Sequence, residues 1–167
     1  MQFTDVLERI NVLVGRIVAW LTLIMVFVTF VIVVMRYLFD SGWIWLQESV
    51  TWMHAAVFML AAAYTLAREE HVRVDIFYRR FSPRGRALVD AAGTLLLLIP
   101  VAVFIIFESW DYVMFSWRIH ESSAEAGGLI YPFPSILKSM IPAMSIMLLM
   151  QGMVLLIRSI HRLRSDT

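Results

Sequence analysis

The chain has 167 residues, of which 60% are hydrophobic and 16% charged, with a mean hydropathy of +0.77; a soluble domain carries about 45–50% apolar residues, so the composition argues against a soluble fold. A net charge of +1 gives no basis for nucleic-acid binding, and the absence of cysteine removes disulfides, thiolate metal sites, iron–sulfur clusters and thiol redox chemistry. Seven glycines and five prolines form no linker and no repeat of fixed period, so residues 1–167 read as a single membrane domain.

A helix crossing the hydrocarbon core needs about 20 mostly apolar residues. The polar N-terminal segment, with Asp5, Glu8, Arg9 and Arg16, leads into a charge-free run over residues 17–35. That run is too long for a cleaved signal and no Ala-x-Ala-like site follows it, so the first helix is expected to be retained. A second charge-free run covers 49–67, between Glu48 and Arg68; a third covers 91–107, between Asp90 and Glu108; a fourth covers 139–157, between Lys138 and Arg158. The expected fold is all-α, an integral membrane protein of four transmembrane helices. In the middle connection Val74, Phe77, Tyr78 and Phe81 recur at helical spacing opposite Arg73, Asp75, Arg79 and Arg80, the pattern of an amphipathic helix lying in the interface plane. The third span is expected to continue as a helix to about Trp117, followed by an irregular loop containing Gly127, Gly128, Pro132 and Pro134.

Cytoplasmic connections retain Lys and Arg during insertion. The N-terminal segment, the middle connection and the tail together hold eleven, whereas the first and third connections hold three, Arg36, Arg118 and Lys138. Both termini are therefore expected in the cytoplasm. Tyr37, Trp43, Trp45, Trp110, Tyr112 and Trp117 then fall near the outer interface, where an apolar ring and a polar N–H or O–H are both satisfied.

His54 is the sharpest polar residue inside a span, and intramembrane ionisable groups are functional candidates because burying them is costly. Haem ligation wants a second histidine at matched depth, whereas His71, His120 and His161 lie in loops or the tail. The simpler expectation is a neutral imidazole bonded to a neighbouring helix. Arg36 and Glu48 flank the first outer connection, placed either to pair across the hairpin or to be solvated at headgroup level. Glu69, Glu70, His71 and Asp75 share their connection with six arginines, which disfavours a metal site there. The methionines around the fourth span, Met140, Met144, Met147, Met150 and Met153, sit at helical spacing without Cys or His, so packing is favoured over copper handling. No Walker sequence, nucleophile–His arrangement or catalytic carboxylate pair is present, and no cofactor or metal is expected.

Several ordered features carry a family resemblance. Met35-Arg36-Tyr37-Leu38-Phe39 closes the first span, Trp45-Leu46-Gln47-Glu48 opens the second, and His71-Val72-Arg73-Val74-Asp75 follows it. Glu121-Ser122-Ser123, Gly127-Gly128-Leu129 and Pro132-Phe133-Pro134 precede the fourth, which contains Leu148-Leu149-Met150-Gln151-Gly152. Over nearly its whole length the chain resembles the small membrane subunit (DctQ-like) of tripartite ATP-independent periplasmic (TRAP) transporters. One departure is Gln47-Glu48, where the family often has two adjacent acids. The resemblance implies a bacterial inner-membrane protein that works with a large multi-helix subunit (DctM-like) and a soluble periplasmic binding protein (DctP-like) in sodium-coupled uptake of carboxylates. In it, Arg36, Trp43, Trp45, Glu48 and His54 are candidates for subunit contacts or structural anchoring. The rival classes are a haem- or quinone-associated membrane anchor of an oxidoreductase and a self-sufficient small channel or exporter.

The charge asymmetry makes a direct prediction: topology reporters fused after Arg80 and at the C-terminus should both register as cytoplasmic, and a periplasmic signal after Arg80 would overturn the four-span arrangement.

Overall fold

In the computed structural model, residues 2–68, 78 and 81–165 are described, and all their regular structure is helical. The elements are α1 (Gln2–Phe39), α2 (Ile44–Leu60), α3 (Ala62–Ala67), α4 (Pro83–Gly93), α5 (Ile99–Arg118) and α6 (Phe133–Ser165). A five-residue π-turn, Thr94–Leu98, joins α4 to α5. Among the described residues four stretches are long and apolar enough to cross a membrane: Thr4–Phe39, Ile44–Ala67, Pro83–Arg118 and Phe133–Arg164. Each contains one of the four charge-free runs and extends beyond it. Of the expected interfacial helix, only Tyr78 and Phe81 lie among the described residues, and Tyr78 donates its hydroxyl hydrogen to Asp90 on α4 at 2.7 Å. The Glu69, Glu70, His71 and Asp75 group lies outside the described residues.

The helix ends have identifiable causes. Asp40 adopts φ 46°, and Ser41 N–H bonds back to the Met35 carbonyl at 3.0 Å, a left-handed stop that terminates α1 at Phe39. His120 at φ 51° ends α5 similarly, with Glu121 N–H returning to the Ser116 carbonyl at 3.1 Å. Ser82 caps α4 by accepting from Gly85 N–H, and Pro83 fills the first helical position, where a missing N–H costs nothing. The helix thus runs past the expected span to Arg118, close to the expected Trp117. Pro100 would clash with the carbonyl four residues earlier in a regular helix. The preceding π-turn, closed by Ile99 N–H on the Thr94 carbonyl, shifts the register there.

The bundle is organised around α6. Of its most apolar stretch 39% is buried, against 6%, 22% and 11% in the first three spans. The helices α1, α2 and α3 pack on one side of it, α4 and α5 on the other. At one end of the bundle Glu8 on α1 pairs with Arg158 on α6. One turn further in, the fully buried Asn11 side-chain amide donates to the Met147 carbonyl at 3.3 Å and to Gln151 Oε1 at 3.2 Å. Small residues permit close approach between helices. A methyl on Gly152 would meet the Leu98 side chain at 2.5 Å, so the π-turn seats directly on α6.

Gly15 sets the distance between α1 and α3. A Cβ there would lie 2.4 Å from both Cβ and Cγ of Tyr64, at the base of the side chain where rotation gives little relief. Gly15→Ala is expected to lower stability by about 1–3 kcal/mol, as overpacking does. Gly93→Ala, with open space around it, should be neutral or stabilising by up to about 1 kcal/mol. Thermal unfolding of the detergent-solubilised protein checks the pair; equal melting temperatures for the two variants would contradict this packing.

Candidate functional site

The end of the bundle opposite the termini gathers the 40–43 turn, the start of α2 and the 119–132 loop. The residue before α2 is Trp43, which offers no side-chain cap. The first N–H groups of a helix need acceptors from elsewhere, and the loop supplies one: Trp45 N–H donates to the Gly127 carbonyl at 3.0 Å. Glu48, one turn on, returns the interaction. Its Oε1 accepts from the Ser123 hydroxyl and its Oε2 from Leu129 N–H at 2.6 Å. The loop and α2 therefore cap each other, and the carboxylate's two oxygens are both committed to the loop. Arg36 is not the partner of Glu48; it is exposed at the last turn of α1.

The loop's own bonds hold the acceptors in place. Ser123 N–H donates to the Leu129 carbonyl at 2.8 Å, Gly128 N–H to the Glu125 carbonyl at 3.0 Å, and Tyr131 N–H to the Ser122 hydroxyl at 3.1 Å. Gly127 sits at φ 81°, a conformation that favours glycine. Gly128 is required for a different reason, since a Cβ there would lie 2.5 Å from Ser123 Oγ and 2.7 Å from Glu48 Oε2. The Gly127-Gly128 pair is what lets backbone pass directly over the carboxylate. The Tyr131–Pro132 peptide is cis.

A second set of bonds ties this loop to α5 and α6. Lys138 pairs with Glu121 and lies 4.1 Å above the Tyr112 ring. The hydrogen bond from Lys138, reinforced by the Ser116 hydroxyl, holds the Glu121 carboxyl below its ordinary range. The Ser116 and Ser135 hydroxyls meet at 2.9 Å in a fully buried contact, and Trp117 Nε1 donates to Ser139 Oγ at 2.8 Å. On the other flank Trp52 Nε1 donates to the Phe133 carbonyl at 3.0 Å, closing α2 onto the start of α6. Beneath the loop this leaves an apolar groove of about 600 Å³ lined by Leu21, Trp45, Trp52, Met53, Leu129 and Phe133.

The five candidate residues are thus dispersed. Trp45 and Glu48 belong to the loop clamp; Arg36 and Trp43 are exposed beside it. His54 lies in the apolar part of α2 and is exposed on the outer surface of the bundle, so a neighbouring helix that bonds the imidazole would belong to another chain. Ser123, Gly128 and Leu129 stood in the motifs of the sequence without any sign of what they contact. Gln151 stood in the motif of the fourth span with no partner assigned, and Asn11 stood in no motif. Their signal was two amide side chains on the same side of the membrane, one preceding the first hydrophobic stretch and one near the end of the fourth, and amides on neighbouring spans pair across helices.

Replacing Glu48 by Gln puts an NH2 group against one of two donors and leaves that donor unmatched, at a cost on the order of 1–3 kcal/mol. Glu48→Gln and Gly128→Ala should each expose the 119–132 loop to added protease, and the double variant should be little worse than either, because both break the same contact. Unchanged protection in Glu48→Gln would remove Glu48 from this role.

The sequence profile of the DctQ component of tripartite ATP-independent periplasmic transporters matches residues 25–162. A C4-dicarboxylate TRAP transporter small permease protein DctQ from Vibrio cholerae serotype O1 (strain ATCC 39315 / El Tor Inaba N16961) is 28% identical over 111 residues, 66% of this chain and 45% of that protein. The match therefore spans less than half of the relative's own length. No solved structure matches. With most of its length, from the first span to the end of the fourth, fitted by that profile, the chain belongs to the DctQ component family of tripartite ATP-independent periplasmic transporters.

Proposed function

We propose that this protein is the small, non-translocating membrane subunit of a TRAP transporter for C4-dicarboxylates. It scaffolds a large (DctM-like) transport subunit and helps to dock a periplasmic (DctP-like) binding protein. Both termini lie in the cytoplasm, so the loop clamp faces the periplasm, and the sodium gradient is used by the complex through its large subunit. No chemical step is assigned to this chain.

The observation that carries this reading is the mutual capping of α2 and the 119–132 loop through Glu48, Ser123 and Leu129. It turns a long connection into a fixed surface rimmed by Trp43, Trp45 and Trp117, each partly exposed. Such a surface suits a partner that docks and leaves, because little ordering entropy is lost when it binds. A carrier site has the opposite requirements: an anion needs convergent donors near the midplane, made from half-helix ends or unwound backbone, and two bodies that move. Here the groove beneath the loop is apolar, and the buried hydroxyls Ser116 and Ser135 are bonded to each other.

The test is uptake of a labelled C4-dicarboxylate by liposomes under an inward sodium gradient. Uptake is expected only when this chain, the large subunit and the binding protein are all present. Accumulation with this chain alone would overturn the scaffold reading, and normal uptake without it would show that the scaffold is dispensable.

A further inference from the structure

The four charge-free stretches contain one histidine, His54. It stands six residues from Glu48 and fourteen from Arg68, about 9 Å and 21 Å along the helix, well inside the hydrocarbon. Its side chain is exposed, as are Thr51 beside it and Phe58 one turn on, the last at 74%. With Ile44 and the half-buried Gln47 these residues recur at intervals of three, four, three and four, a single seam along α2. The opposite side of α2, carrying Trp45, Trp52 and Met53, faces the groove and the core.

Hydrocarbon provides no partner for either imidazole nitrogen, and ionisable groups in spans accordingly face protein or water. The exposed surfaces of α1 and α5 are chiefly apolar: Phe27 and Phe30 on α1, and Phe104 and Phe107 on α5, are between 62% and 75% exposed, suited to lipid, and the exposed Thr22 of α1 donates to its own Ala19 carbonyl. We propose that the α2 seam of Gln47, Thr51, His54 and Phe58 seats a transmembrane helix of the large subunit, one that carries a hydrogen-bond acceptor or amide at the depth of His54. The assignment rests on the transporter reading above. The seam's spacing matches helix–helix packing at a shallow crossing angle. Its polar members supply the interhelical hydrogen bonds that hold such contacts in lipid, and Phe58 supplies packing where the seam turns apolar.

The experiment uses the intact complex in membranes, with a photocrosslinking amino acid placed in turn at Thr51, Phe58, Phe104 and Phe107. Adducts with the large subunit are expected from Thr51 and Phe58 and not from Phe104 or Phe107. In detergent, His54→Ala should retain about tenfold less large subunit than wild type, as loss of an interhelical hydrogen bond of about 1–2 kcal/mol allows, and His54→Asn should restore part of it. If wild-type protein retains no large subunit, the transporter reading itself fails. If the wild-type complex is intact but adducts arise from α5, or the α2 positions yield only lipid or a second copy of this chain, the seam assignment alone is overturned.

Discussion

A hydrocarbon environment offers no hydrogen bonds, so every polar group that enters it must find its partner within protein. That constraint explains why the described spans are helical, and it also explains where α6 sits. The helix carries Ser135, Ser145 and Gln151, all fully buried, and two of them take partners on different flanks. Ser135 meets Ser116 of α5, Gln151 meets Asn11 of α1, and Ser145 returns to its own Ile141 carbonyl. A helix with polar groups facing both flanks is placed between those flanks. Interhelical bonds of this kind are individually modest, from about 0.6 to 2 kcal/mol, but they fix register and rotation, which uniform apolar packing leaves loose.

The two ends of the bundle are fastened by different chemistry. Around the termini the fastening is an ion pair and an amide contact between α1 and α6, through Glu8 with Arg158 and Asn11 with Gln151. At the other end it is a carboxylate binding backbone and hydroxyl, together with a Lys138–Glu121 pair capped by the Tyr112 ring. Charge-assisted hydrogen bonds to a carboxylate are stronger than neutral ones and remain effective where water is partly excluded. Placing one beneath a long connection makes that connection part of the folded body. In the scaffold role proposed above, the subunit contributes by staying still while its partner moves, and a loop fastened to the start of α2 and to α5 and α6 suits that role.

The surfaces left over divide by polarity. Within the charge-free runs the outward faces of α1 and α5 are mainly phenylalanine and aliphatic, with Thr22 and Thr29 on α1, whereas α2 presents a histidine together with a threonine and a glutamine. Because α2 is held from behind by Trp52 on Phe133 and by Glu48 on the loop, its outward face is rigid as well as polar. The same clamp that presents the loop therefore fixes the orientation of the α2 seam, and the two surfaces are coupled through one short stretch of helix.

The sequence by itself determined the fold class, the four spans, the continuation of the third helix to about Trp117 and the family, because these rest on local quantities: the length of an apolar run, the spacing of charges, the order of short motifs. It also brought forward Glu48, Ser123, Gly128 and Leu129, but as separate motifs. Only the tertiary structure decided that they form one contact, since the partners of Glu48 lie 75 and 81 residues away, and the nearer opposite charge, Arg36, was the natural expectation. His54 shows the same limit from the other side. Sequence placed it at membrane depth, but whether it points into the bundle depends on the rotation of α2 about its axis. That rotation is set by Trp52 and Met53 packing inward and by Glu48 reaching the loop, which are long-range facts that no local pattern encodes.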